Sequence, residues 1–130
     1  MPADYTHLNL ADVEDSAPKF GFSEVQEARF ARGDLEAEGT GLAYHIVRAG
    51  RRQAFAHRHH NAEEIAVVVA GTGQLKVDDD VVDLRPLDAV RLSPGVTRQF
   101  AAGPDEDLQF IVCGPHHDSD GEIVQDFWTD

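Results

Sequence analysis

The sequence predicts an all-β domain of about eight strands, closed as a barrel or jelly roll. From residue 42 onward, short apolar segments recur at intervals of about 8 to 12 residues, the spacing of a sandwich or barrel. Turn residues separate the segments: "GTG" at 71–73, "DDD" at 78–80 and "SPGV" at 93–96. No amphipathic helical pattern of ordinary length interrupts the series, which disfavours a parallel α/β arrangement.

In chain order the strand candidates are "LAYHIVRA" (42–49), "QAFAHRH" (53–59), "EIAVVVA" (64–70), "GQLKVDD" (73–79), "VVDLRP" (81–86), "DAVRLS" (88–93), "TRQFAA" (97–102) and "LQFIVCG" (108–114). Each is rich in β-branched or aromatic residues and bounded by a turn signal. The glycines of "GTG" supply the positive φ of a tight hairpin, and Asp79 with Asp80 tolerates a left-handed turn. Pro94 and Gly95 occupy the central positions of a type II turn. Each turn is expected to join two neighbouring strands.

Upstream, "SEVQEARFA" (23–31) reads either as a short helix capped by Ser23, with Gln26 three positions on, or as an irregular strand against the barrel. The chain thus divides into an irregular N-terminal arm (1–41), a barrel (42–114) and a C-terminal tail (115–130). Phe127 and Trp128 in the tail are expected to pack back on the barrel, because a free tail would leave their large apolar surface in water.

At 130 residues the chain suits one core and is too short for two. Its formal charge of −13 repels phosphate backbones and anionic lipid surfaces, so neither nucleic acid nor a membrane is an expected partner. The acidic excess reads as a solubilising surface, or more sharply as adaptation to high salt. No apolar run approaches the roughly 18 residues of a membrane span, the N-terminus lacks signal-peptide order, and Cys113 is the lone cysteine. A cytoplasmic location is expected.

The chemistry concentrates in "HRHHNAEEIAVVVAG" (57–71). Side chains alternate along a strand, so His57 and His59 share a face about 6.6 Å apart, while His60 points away. Glu64 opens the next strand, with the small Ala66 and Val68 on its own face, and Glu63 is the fallback acid. Two histidines and a carboxylate form a facial triad suited to Fe(II) and acceptable to Zn, Mn, Ni or Cu. By parity Tyr44 and Phe55 are candidate substrate contacts, with plain core packing as the alternative.

This stretch resembles the first motif of the cupin superfamily: His-x-His, three or four residues, Glu, six residues, Gly. Glu64 followed by "IAVVVA" leads directly to Gly71. The resemblance implies a cupin jelly-roll β-barrel (a double-stranded β-helix) over roughly 42–114. It also implies His57, His59 and Glu64 as ligands of a divalent transition metal, and a small-molecule ligand.

The second cupin motif aligns with "LDAVRLSPGVTRQFAA", where Gly95 alone keeps its place. Leu87 replaces the first glycine, and Arg98 replaces the histidine that supplies the family's fourth ligand. Arginine has no lone pair to offer a metal. Three arrangements follow: Arg98 pairs with Glu64 in a metal-free pocket, turns aside from a three-ligand metal site, or clamps an anionic substrate near the metal.

Three functions follow: a metal-dependent enzyme acting on a small anion, a non-catalytic binding module, or a barrel whose site has decayed and whose role is association. Small cupins also commonly pair through their sheets, so a homodimer is expected. Phe20, Phe22, Val25 and Phe30 of the arm are placed to cover a sheet edge or cross over to a partner.

Overall fold

The computed structural model describes residues 4–129, which build two antiparallel five-stranded sheets packed as a jelly roll. The first sheet places β1 (Gln26–Phe30), β2 (Thr40–Val47), β9 (Leu108–Pro115), β4 (Glu64–Ala70) and β7 (Ala89–Leu92) side by side. The second has the order β10 (Gly121–Val124), β3 (Ala56–His59), β8 (Arg98–Ala102), β5 (Gly73–Val77) and β6 (Asp80–Leu84). All eight segments expected from the sequence are strands. Two more, β1 and β10, extend the sheets beyond 42–114 at both ends.

Alternation decides which faces meet. In β4, Ala66 and Val68 are buried while Ile65 and Val69 face outward, and β9 buries Leu108 and Phe110 in the same rhythm. Phe100 of β8 stacks on Phe110 with ring centroids 3.9 Å apart and ties one sheet to the other. Val47, Val68, Leu75, Leu92 and Leu108 complete the centre of the core. Each such side chain contributes about 1.5–3 kcal/mol by leaving water.

The open question over residues 23–31 resolves as a strand. Gln26 and Ala28 are buried, and Glu27 and Arg29 form an ion pair on the other face, a period of two that a helix cannot satisfy. The Asp15 carboxylate accepts hydrogen bonds from the Ala17 and Ala28 amides and stitches the preceding 3-10 turn (Ala17–Phe20) to β1. In this way β1 covers the edge of β2 within its own chain.

Two of the expected hairpins are instead corners between sheets. "GTG" carries the chain from β4 in the first sheet to β5 in the second, and "SPGV" carries it from β7 to β8. Gly71 is nonetheless required: its φ is +80°, and a Cβ there would lie 2.0 Å from the Asp107 carbonyl oxygen. The turn between β5 and β6 is a true hairpin, but Asp78 takes the left-handed conformation (φ 50°), not Asp79 or Asp80.

As expected, the tail folds back. Lys76 lies 4.6 Å from the Phe127 ring centroid and donates to the Phe127 carbonyl. Arg52 does the same for Trp128, at 4.3 Å from the ring. A cleft of about 160 Å³ remains between the tail and the segment around Phe55.

Leu87, which stands where the resembling motif has glycine, has φ +74° and is 82% exposed. A left-handed leucine costs about 1–2 kcal/mol, and glycine's extra chain entropy takes back about 0.5–1. Leu87→Gly is therefore expected to raise stability by about 0.5–1 kcal/mol in urea unfolding. A loss of stability would show that the leucine makes a contact worth more than its strain.

Candidate functional site

His57 and His59 project from β3 with ring centroids 5.3 Å apart and nearly perpendicular planes. Glu64 begins β4 in the opposite sheet, so the short connection between the two strands folds its carboxylate back toward the imidazoles. One ligand atom from each of His57, His59 and Glu64 can be chosen so that all lie within 4.8 Å of one another. His59 Nε2 is 3.4 Å from Glu64 Oε1. Glu63 points elsewhere and faces Arg91 at 3.6 Å on the surface, so it is not the acid of this group.

Arg98 pairs with His57 across β8 and β3 and is only 1% exposed. Its Nη2 donates to Glu64 Oε1, and Nη1 donates to the Val96 carbonyl at 3.3 Å. Of the arrangements left open by the sequence, the guanidinium thus adopts the pairing with Glu64.

Burial pushes the His57 imidazole down to about 3, helped by the Arg98 charge and by His59 and His45. The ring is therefore neutral at pH 7, with a lone pair free to bind a cation.

Two further residues escape the sequence reading. His45, on β2, stacks on Phe110 at 5.1 Å and meets Phe30 edge-on at 5.7 Å. Burial pushes it down to about 4. Asp120, immediately before β10, is 5% exposed and accepts from the Asn61 amide (2.9 Å), the Asn61 side chain (3.0 Å) and the Ala62 amide (3.0 Å). Burial alone would raise its carboxyl, but these bonds outweigh burial and hold it below the usual carboxylate range. Its Oδ2 lies 3.4 Å from His59 Nδ1.

The two expected substrate contacts lie elsewhere. Tyr44 is on the opposite face of β2 from His45, bonds Gln109 through its hydroxyl and neighbours Glu27 and Arg29. Phe55 precedes β3 and packs on Phe22 of the arm, with ring centroids 5.7 Å apart.

Two neutral-capable imidazoles and a carboxylate suit a divalent transition metal. The charge count agrees: Glu64 and Asp120 offset the single positive charge of Arg98 and leave a net negative surround.

A family model described as "Cupin domain" matches residues 43–114. Among solved structures, a cupin protein from Bacteroides fragilis is similar at 22% identity and TM-score 0.71, covering 99% of each chain. The polyketide cyclase RemF from Streptomyces resistomycificus is similar at 18% identity and TM-score 0.75, over 96% of this chain and 87% of that one. Oxalate decarboxylase from Bacillus subtilis is similar at 15% identity and TM-score 0.74, over 92% of this chain but 32% of its own. No curated protein matches the sequence. With the jelly roll, the His-x-His and Glu pattern and the matched model in agreement, the chain belongs to the cupin family.

Proposed function

We propose that this cupin holds a divalent transition metal on His57, His59 and Glu64 and uses the site on a small anionic substrate. The observation that carries the reading is the convergence of those three ligand atoms within 4.8 Å. The donor set accommodates Fe, Mn, Ni, Zn or Cu. When bound, such an ion supplies Lewis acidity or oxygen activation. The chain's own residues do the rest: His57 stays neutral, and Arg98 fixes the Glu64 carboxylate and keeps a positive charge beside the site. Anionic substrates also appear in the names of similar cupins, an oxalate decarboxylase and a sugar phosphate isomerase from Silicibacter pomeroyi.

The engagement of Arg98 with Glu64 favours a second reading, a metal-free module that binds a small molecule without catalysis. Elemental analysis of protein purified without a metal-affinity tag separates the two. The first reading expects a stoichiometric transition metal, lost in both His57→Ala and His59→Ala while thermal melting stays cooperative. No metal after soaking with Fe, Mn, Ni or Zn would leave the second reading.

Homodimerisation remains part of the proposal, supported by the exposed Ile65 and Val69 on the outer face of the first sheet. A cytoplasmic location is proposed on the sequence alone; among the described residues no helix is long and apolar enough to cross a membrane.

A further inference from the structure

His59 carries a conspicuous loose end. Its Nδ1 is buried and has no hydrogen-bond partner, yet the Asp120 carboxylate sits 3.4 Å away. Asp120 cannot swing freely, because three donors from Asn61 and Ala62 clamp it. The backbone adds to the clamp. The His60 amide donates to the Asp120 carbonyl at 3.1 Å, and Gly121 pairs with His59 in the β10–β3 register.

The arrangement has a direction. One ring nitrogen of His59 faces Glu64 and the other faces Asp120, at 3.4 Å each. Glu64 Oε1 and Asp120 Oδ2 each accept one hydrogen bond, from Arg98 and Ala62, and both retain acceptor capacity. Burial separates them, because Nδ1 is the enclosed, unpartnered nitrogen and Asp120 is the acceptor beside it. A proton on Nδ1, directed at Asp120, leaves the Nε2 lone pair facing the cluster.

We propose that Asp120 is the positioning residue of the site: it accepts the Nδ1 proton of His59, fixes the ring's tautomer and orientation, and presents Nε2 to a cation. A carboxylate behind a ligating imidazole raises its basicity, and losing such a partner typically costs about 10- to 100-fold in metal affinity. Asp120 also adds to the attraction that Glu64 exerts on the Arg98 charge, as the smaller of the two. The proposal rests on the metal reading for its consequence, though the hydrogen bond itself does not.

Two measurements test it. In metal-free, isotope-labelled protein at pH 8, long-range proton–nitrogen correlation of the His59 ring is expected to show Nδ1 protonated and Nε2 bare. Any other ring state overturns the proposal, and this readout needs neither a variant nor a metal. Calorimetric titration with Zn²⁺ then compares wild type, Asp120→Asn and the control Asn61→Ala, which removes one donor to Asp120 but leaves its carboxylate. Asp120→Asn is expected to weaken Zn²⁺ binding about 10- to 100-fold and to lose the Nδ1–H preference. Asn61→Ala is expected to keep the tautomer. Equal Zn²⁺ affinity in wild type and Asp120→Asn overturns the proposal. A wild type that binds no Zn²⁺ defeats the metal reading while the tautomer still decides the role of Asp120.

Discussion

Arg98→Met is expected to lower the stability of the metal-free protein by about 3–5 kcal/mol, because it removes the partner of a carboxylate that faces the barrel interior. The guanidinium is 1% exposed and the Glu64 side chain 19%, so solvent can replace the pairing only in part. Urea unfolding with and without Zn²⁺ measures the effect. If His57, His59 and Glu64 form the ion site, saturating Zn²⁺ should return much of the lost stability by binding the native state alone. Arg98→His goes further, since an imidazole at this position can serve as a fourth ligand and no longer fixes a positive charge there. Its affinity for Zn²⁺ should exceed that of the wild type at least tenfold, about 1.4 kcal/mol. An Arg98→Met protein as stable as the wild type and indifferent to Zn²⁺ would dissociate Arg98 from the cluster.

Acidifying the metal-free protein from pH 6.5 to 4 is expected to cost about 3 kcal/mol for each of His45 and His57. Both rings are neutral in the folded protein, held down to about 4 and about 3, and both return to about 6.5 when unfolded. Below 6.5 the unfolded chain therefore binds more protons than the native one, so stability falls as pH falls, and the loss tapers near the folded values. Asp120 acts in the same direction at lower pH, because its folded carboxyl is depressed. His45→Phe keeps an aromatic ring between Phe30 and Phe110 and removes the titration. It should flatten about half of the histidine-dependent loss between pH 6.5 and 4 in denaturant melts. Identical slopes for wild type and variant would show that His45 takes up its proton without unfolding.

The strands were legible because burial imposes a period of two on residues such as Ala66, Val68, Leu108 and Phe110, and that period is written in the sequence. The convergence of His57, His59 and Glu64 is legible for the same reason: His57 and His59 differ by two positions, and Glu64 opens the following strand. The turns were legible only locally. "GTG" and "SPGV" specify backbone angles, whereas whether a turn joins partners or crosses between sheets is decided by tertiary packing. Tyr44 lies away from the cluster because parity holds along a strand but not between strands. Register fixes which residue of β2 shares the inner face, and a slip of one exchanges Tyr44 for His45. Asp120 carried no signal at all, as an acidic residue in "HHDSDGEIV" looks like any solvated tail until β10 pairs with β3.

That pairing also bears on the order in which the molecule can assemble. Asp120 contacts residues 58 and 59 positions earlier in the chain, and Trp128 closes on Arg52 across 76. During vectorial synthesis, β3 through β9 can emerge and begin to collapse before these partners exist. The nascent barrel then contains His57, His59, Glu64 and Arg98 but neither its second-sheet edge strand nor the carboxylate behind His59. Residue 120 leaves the ribosome after β3, β4 and β8, so the carboxylate beside His59 can join the cluster only once β10 pairs with β3.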